Sequence, residues 1–207
     1  MPADTFNNIS EHELRLWDEF RAGNEAAFAA LVKRYSNTLF TYGYQICRDR
    51  DLVKDCIQEV CLELWNRRGR ISAVNSVKWY LIKSIRTRIF KDRSKWRTNE
   101  MVDDDYMFIV EFNIESQLVL ETETLEFISR VKTVINGLPA RQREIIYLRF
   151  YENLSFDQIC EVMNISKQSV HNLLQKAYRS FRSEWMLVFA VMSIAYRYFF
   201  YLKDSRL

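Results

Sequence analysis

Glycine and proline are scarce in this chain, which has four Gly and two Pro among 207 residues. So few turn-forming residues argue against a β fold built on many tight turns. They also argue against the glycine-rich loops that cradle phosphates in nucleotide-binding enzymes. Hydrophobic residues make up 48% of the chain, which is enough apolar material for a folded core. Long helices and an all-α fold are therefore expected.

Cysteine and histidine are also few, with four Cys and two His. Cys47, Cys56, Cys61 and Cys160 show no C-x-x-C spacing, and neither a G-x-S-x-G motif nor a P-loop is present. We therefore expect no metal site, no cofactor, no small-molecule substrate and no enzymatic activity. The four thiols are expected to be small apolar fillers on helix faces.

The N-terminus lacks the apolar run of a secretory signal. Asp4, Glu11 and Glu13 place acidic residues where a signal or transit peptide would be apolar or basic. The expected location is the cytoplasm, where cysteine thiols remain reduced.

Charge is divided unevenly along the chain, although the net charge is only +3. Residues 1–97 contain 18 Lys and Arg against 12 Asp and Glu, residues 98–135 contain 2 against 9, and residues 136–207 contain 10 against 6. Two basic segments thus flank an acidic one. Clustered positive charge attracts phosphates and releases their counterions, so this pattern indicates two separate contacts with a polyanion.

Apolar periodicity predicts three helices in the first basic segment. The first is capped by Asn24 and runs to about Cys47, the second spans about 51–67, and the third spans about 76–96. The second helix carries a core stripe, and the face opposite that stripe combines polar residues with a Leu and a Trp. Such a face is typical of a partner-binding hot spot. Its members are Asp55, Gln58, Glu59, Leu62 and Trp65.

The third helix carries a stripe of rings and positive charges at alternating steps of four and three. Cations hold a phosphate backbone and aromatic faces accept unstacked bases, so we predict a nucleic-acid contact here. The stripe consists of Trp79, Lys83, Arg86, Phe90, Arg93 and Arg97, with Arg88 and Lys91 beside it. Leu81, Ile82, Ile85 and Ile89 point away from the stripe and are predicted to be core residues.

Three consecutive Asp residues at 103–105 end this basic segment. Apolar residues at helical spacing begin again at Ile114 and Leu118, and they predict a helix that ends at Asn136-Gly137. Beyond Pro139, Ser155 and Gln158 form a capping box.

The residues after this capping box have helix-turn-helix spacing. Asn164 tolerates the left-handed turn, and Ser166 caps the second helix. The polar side chains of that second helix are suited to base edges and phosphates. They belong to Ser166, Lys167, Gln168, Ser169, His171, Asn172, Gln175 and Lys176.

These motifs resemble a known family, the bacterial sigma factors. Residues 47–65, with Asp55, Gln58-Glu59-Val60 and Leu64-Trp65, resemble the helix that binds core RNA polymerase, and residues 76–97 resemble the promoter-melting helix. Residues 138–182 are similar to the fourth conserved region, through Arg143, Ile146, Leu148-Arg149, Leu154-Ser155 and Ala177. The resemblance covers about residues 20–182, and its two parts occur in the right order. That layout is the extracytoplasmic-function type.

The resemblance implies four segments. Region 2 would occupy residues 20–97, an acidic linker 98–124, the region 4 helix-turn-helix 125–184, and a hydrophobic extension 185–207. By resemblance, core RNA polymerase and promoter DNA are partners, as is an anti-sigma factor.

The resemblance also implies a role for each of the three predicted surfaces. The Asp55 to Trp65 face docks on the polymerase, the 79–97 stripe with Arg88 and Lys91 engages the minus-ten element, and residues 166–176 read the minus-thirty-five element. One departure is Arg88, which stands where the family often has Asn.

Two other functions remain open on the residues alone. The chain could be a helix-turn-helix repressor or activator that binds an operator without polymerase, with the face of Leu62 and Trp65 as a dimer seam. It could also be an adaptor whose basic helix binds acidic proteins.

The tail from Trp185 to Leu202 has Arg197 as its one charged residue. Its uncharged run, residues 185–196, is shorter than the ~20 residues that span a membrane, so membrane contact is the less favoured alternative. A helix apolar on every side must bury itself. We expect this tail to pack on the chain's own domains. It would either compete with polymerase docking or complete the C-terminal core.

Overall fold

The computed structural model describes residues 3–96, 106–111, 122–180 and 182, with side chains described for residues 11–93, 106–111, 129–180 and 182. Within these ranges the chain is helical and contains no β-strand, which confirms the all-α expectation. Several predictions concern residues outside the described ranges: Arg97, residues 103–105, Ile114, Leu118 and the tail 185–207.

The chain forms two compact units. The first consists of residues 1–109 and 154–165, and the second of residues 110–153 and 166–207. The first unit contains helices α1 (Ala3–Arg21), α2 (Glu25–Ile46), α3 (Arg50–Arg67), α4 (Val77–Trp96) and α7 (Phe156–Met163). The second contains α5 (Thr122–Gly137), α6 (Ala140–Ile146), a π-helical turn at Tyr147–Tyr151, and α8 at residues 167–180.

Local capping chemistry sets where the first helices begin. Gly23 has φ +98°, a left-handed conformation that suits glycine, and it allows the turn between α1 and α2. The side chain of Asn24 then accepts a hydrogen bond from the Ala27 N–H, as predicted. Asp49 accepts from the N–H groups of Asp51 and Leu52 and caps α3 in the same way. These caps start α2 and α3 close to the positions that periodicity predicted.

An aromatic cluster joins the helices of the first unit. Trp17 and Phe20 of α1 are fully buried. The Trp17 ring lies 5.1 Å from that of Tyr80 on α4, and Phe20 stacks on Phe28 of α2 at 5.0 Å. Sequence analysis placed no helix before Asn24, so α1 and its contribution to the core were missed.

Gly43 of α2 lies where α3 and α4 approach most tightly. A Cβ at this position would lie 2.9 Å from Cγ1 of Val53 on α3 and 3.0 Å from Cδ1 of Ile89 on α4. Both neighbours are themselves fully buried, so little space is left to absorb a methyl group. The absence of a side chain at Gly43 therefore sets the spacing of three helices.

Part of the segment expected to be an acidic linker, residues 98–124, packs against the first unit. Tyr106 packs edge-on against Phe90 with centroids 5.2 Å apart, and the Phe108 ring lies 6.0 Å from that of Tyr42. The Ile109 N–H donates to the Gln45 carbonyl at 3.2 Å. Apolar residues at alternate positions bury this segment in the first unit despite the acidic surroundings.

The second unit is held by buried polar pairs as well as by apolar residues. Asn136 donates to the Val110 carbonyl at 3.1 Å and accepts from the Val110 N–H at 2.9 Å. The hydroxyl of Tyr147 donates to the buried carboxylate of Glu152 at 2.8 Å. As predicted, α5 ends at Asn136-Gly137, and Pro139 precedes the first residue of α6.

We expect Gly43→Ala to destabilise the first unit. The methyl group would clash with the branched side chain of Val53, and overpacking of this kind costs ~1–3 kcal/mol, partly offset by the better helix propensity of Ala. Urea denaturation followed by far-UV circular dichroism measures the change. Gly69→Ala is the control, because no atom lies within 4 Å of a Cβ added there. Equal stability of the two variants would contradict the close approach.

Candidate nucleic-acid interface

The outward face of α3 is exposed as the sequence predicted. Val53, Cys56, Val60 and Leu64 are buried beneath it. On the opposite side Asp55, Gln58 and Glu59 are exposed, and Leu62 is 62% exposed. An apolar side chain this open, bordered by polar groups, suits contact with a partner.

Trp65 is more enclosed than predicted. Its ring lies 5.3 Å from that of Phe28, and the Arg68 guanidinium lies 4.3 Å from the ring centroid. These contacts leave the Trp65 side chain half-buried. Trp65 therefore anchors α3 to α2, and Leu62 is the open apolar residue of the face.

The buried face of α4 is the predicted one. Ile82, Ile85 and Ile89 are fully buried, and Leu81 is nearly so. On another side of the helix Trp79 and Lys83 are half-buried, with the Lys83 ammonium 5.3 Å from the Trp79 ring centroid. The Lys83 ammonium also pairs with the carboxylate of Glu161 on α7 at 2.9 Å.

Arg86 is not part of an exposed stripe, which corrects the sequence prediction. Its side chain is 5% exposed, and its guanidinium lies 4.4 Å from the centroid of the Phe90 ring. The reason is position, because Arg86 follows Ile82 by four residues and precedes Ile89 by three, on the buried side of α4. We therefore remove Arg86 from the predicted nucleic-acid contacts.

Phe90 and Arg93 are also engaged within the protein. One face of the Phe90 ring is covered by Arg86, and Tyr106 packs against the ring, so the expectation of an open stacking face is wrong on those sides. Arg93 donates to the Ile46 carbonyl at 3.2 Å. The stripe is thus interrupted, and Lys91 is an exposed cation on this helix.

Arg88 connects α4 to the outward face of α3. Its guanidinium forms an ion pair with Glu59 and a second with Asp92 at 3.0 Å. Asp92 also accepts a hydrogen bond from the Cys56 thiol at 3.6 Å. Burial, with a smaller contribution from Asp92, raises the pKa of Cys56 to about 12, so this thiol stays protonated at neutral pH. Two surfaces that the sequence analysis treated separately share one network.

A cavity of about 440 Å³ lies between α3 and α4. Trp79, Lys83, Arg88 and Lys91 line it, so four of the predicted residues converge here. The indole N–H of Trp79 is buried and has no hydrogen-bond partner among the described residues. Sequence analysis missed several further lining residues, because they are ordinary core or surface residues by periodicity alone. These include Glu63, Arg67, Ile71, Tyr80, Ser84 and Thr87.

The helix-turn-helix motif has the predicted local geometry. Ser155 accepts from the Gln158 N–H at 3.3 Å, while the Gln158 side chain accepts from the Ser155 N–H at 2.9 Å. Asn164 ends α7 in the left-handed conformation, with φ 53° and ψ 49°. Ser166 accepts from the Ser169 N–H at 3.1 Å and caps α8. All three elements of the sequence prediction are confirmed.

The polar side of α8 faces outward. Lys167, Gln168, His171, Asn172, Gln175 and Lys176 are exposed, as is Ser166, and Ser169 is half-buried. The side-chain amide of Gln168 donates to the Asn172 Oδ1 at 3.0 Å, which holds both groups in a defined orientation. Val170, Leu174 and Ala177 are buried on the other side of the helix. A ladder of hydrogen-bonding groups is thus available on one face.

The described ranges contain neither a cluster of metal-ligating side chains nor a membrane-spanning helix. No three His, Cys, Asp or Glu side chains there are grouped so that they could hold a metal ion. No helix in the same ranges combines the length and apolar character needed to cross a membrane.

A helix-turn-helix together with a second, cation-lined surface is typical of DNA-binding transcription proteins. Comparison with protein families agrees, because the model of sigma-70 region 2 matches residues 31–98 and that of sigma-70 region 4 matches residues 128–181. The chain belongs to the sigma-70 family of RNA polymerase sigma factors, with the layout of the extracytoplasmic-function type. Sigma factors bind core RNA polymerase and promoter DNA and act in transcription initiation.

Individual relatives support the same assignment. The chain is 24% identical over 162 residues to a probable RNA polymerase sigma factor of Haemophilus influenzae, covering 70% of this chain and 83% of that protein. Its fold is similar to CnrH in complex with the cytosolic domain of CnrY, with a TM-score of 0.53, 18% identity and coverage of 84% and 97% of the two chains. It is also similar to the sigma factor RpoE in complex with the anti-sigma factor NepR from Bartonella quintana, with a TM-score of 0.53, 16% identity and coverage of 75% and 94%.

We expect Arg86→Ala to lower stability, because the substitution removes a buried side chain that covers the Phe90 ring. Losses of this type are ~1–3 kcal/mol. Lys91→Ala, an exposed cation on the same helix, should change the free energy of unfolding by less than ~0.5 kcal/mol. Urea titration of both variants measures the difference. If Arg86→Ala were as stable as the wild type, the structural role of Arg86 would be refuted.

Proposed function

We propose that this sigma factor directs core RNA polymerase to promoters through two DNA contacts, one at the minus-ten and one at the minus-thirty-five element. The observation that carries the proposal is the cavity beside α4, where cations and an indole ring converge, in a chain that also has an outward polar face on α8. The polymerase performs the chemistry, so this chain acts as a specificity subunit.

The α4 cavity is suited to an unstacked base from the minus-ten element. Stacking on an aromatic side chain contributes ~1–3 kcal/mol per base, and Trp79 supplies a ring at the cavity. Lys83 and Lys91 are placed to attract the adjacent phosphates. Lys83 must exchange Glu161 for a phosphate, at a small cost because the ion pair is partly exposed.

The outward face of α8 is suited to reading the minus-thirty-five element in a major groove. Gln and Asn amides pair with adenine edges, and Lys binds guanine or phosphate. Gln168 and Asn172 already hold each other in a fixed orientation, so little side-chain entropy is lost when they contact a base.

The α3 face supports polymerase docking. Leu62 provides an apolar centre, and Asp55, Gln58 and Glu59 provide polar groups around it. We further propose an anti-sigma partner, since the RpoE relative was solved with the anti-sigma factor NepR.

We expect Leu62→Ala and Gln58→Ala to weaken binding of core RNA polymerase while leaving the helical content unchanged. A central apolar anchor contributes on the order of 2 kcal/mol, which corresponds to ~30-fold in Kd. Met107→Ala is the matched control, because Met107 is 60% exposed but lies outside α3. Retention of core polymerase on tagged protein at one-to-one stoichiometry measures the binding. Capture of operator DNA without polymerase would instead favour an independent repressor.

We expect mutations to affect the two proposed DNA contacts independently. Lys83→Ala should slow promoter opening at every promoter, whereas Gln168→Ala should change which upstream elements are used, by ~1–3 kcal/mol per lost base contact. Permanganate footprinting of the bubble measures the first effect, and competition between upstream-element variants measures the second. Lys54→Ala, an exposed cation of α3, serves as control. Normal footprints with Lys83→Ala would disprove the melting role.

A further inference from the structure

The second unit contains an apolar groove that the proposed DNA and polymerase contacts do not use. It has a volume of about 280 Å³, and none of the described residues that line it is charged. Its walls include Val131 and Ile135 of α5, Tyr147 of the π-helical turn, and Leu174 and Ala177 of α8. Concave apolar surfaces between helices are where proteins most often bind an apolar partner.

Large aromatic side chains that line this groove remain open to solvent. Phe150 is 60% exposed and Tyr178 is 58% exposed, and their rings meet edge to face at 6.4 Å. Tyr151, also in the lining, is 48% exposed and stacks on Tyr147 at 4.8 Å. Exposed rings clustered around an apolar groove mark a contact surface.

The chain itself carries a segment of matching chemistry directly after α8. Residues 185–202 contain one charged residue, Arg197, and follow Tyr178 of the groove by only a few positions. Helix α8 is described to residue 180 and residue 182 is also helical, so the segment begins three residues beyond the last described position. Because the connection is covalent and short, the effective concentration of this segment at the groove is far above that of any separate chain.

We propose that residues 185–202 place one face in this groove, against Phe150 and Tyr178, and so complete the apolar core of the second unit. The inference goes beyond the proposed function and does not depend on it. The groove lies on the Leu174 and Ala177 side of α8, whereas Asn172 and Gln175 face outward. An occupied groove therefore leaves the outward polar face of α8 open, and the segment stabilises the unit without blocking DNA.

Limited chymotrypsin digestion of the full chain tests the proposal. Residues 185–202 contain many aromatic cleavage sites, which the groove should protect in the wild type. Phe150→Glu places a charge in the groove and should increase cleavage within 185–202 by about tenfold, because proteolysis follows the open population. Met107→Glu is the matched control, since Met107 is also 60% exposed but lies in the first unit.

A second variant acts from the other side of the contact. Phe189→Glu changes the segment and leaves the groove intact, so it should raise cleavage at the remaining sites even if Phe150→Glu unfolds the unit. Circular dichroism checks the helical content of each variant.

Three results would overturn the proposal. Cleavage equal in the wild type and both variants would show that the groove does not hold the segment. Protection that falls on dilution, together with the mass of two chains, would assign the groove to a second copy. Protection seen only with phosphatidylcholine vesicles would assign the segment to a lipid surface.

Discussion

The close approach of α2, α3 and α4 at Gly43 is the constraint on which the surfaces of the first unit depend. With no Cβ at Gly43, Val53 and Ile89 meet the α2 backbone directly. This contact fixes the buried sides of α3 and α4, and so determines which side chains are left outside. The exposed Leu62 and the cations around the α4 cavity are consequences of how tightly the apolar sides pack. Packing at this glycine thus helps to determine which side chains the first unit exposes.

Hydrophobic periodicity and local capping residues were sufficient to predict much of this fold. The residues that cap or end these helices interact with backbone groups only a few positions away. Their roles could therefore be predicted without knowledge of distant contacts. They are Asn24, Ser155, Asn164 and Ser166. The core stripes of α3 and α4 were predicted for the same reason, because a helical period of 3.6 residues puts them on one side.

Predictions failed where partners distant in sequence decide the outcome. Arg86 lies at the edge of the apolar stripe of α4. Only the packed structure shows that its guanidinium lies over the Phe90 ring. Phe90 itself is covered by Tyr106, a residue of the connector that acidic composition marked as a linker. Helix α1 was missed because the apolar pattern of Trp17 and Phe20 is short. These residues are recognised as core only through their ring contacts with Tyr80 and Phe28. The cavity beside α4 likewise requires two helices and could not be found from either alone.

The ion pair between Arg88 and Glu59 has a thermodynamic consequence. Glu59 belongs to the face proposed for polymerase, and Arg88 lines the cavity proposed for DNA, so one electrostatic contact is shared by both. A protein partner that draws Glu59 away leaves Arg88 with more uncompensated positive charge toward the cavity. Linkage is reciprocal, so a phosphate that draws Arg88 away frees Glu59 by the same free energy. The two proposed contacts, with polymerase and with DNA, would therefore be linked through this one ion pair.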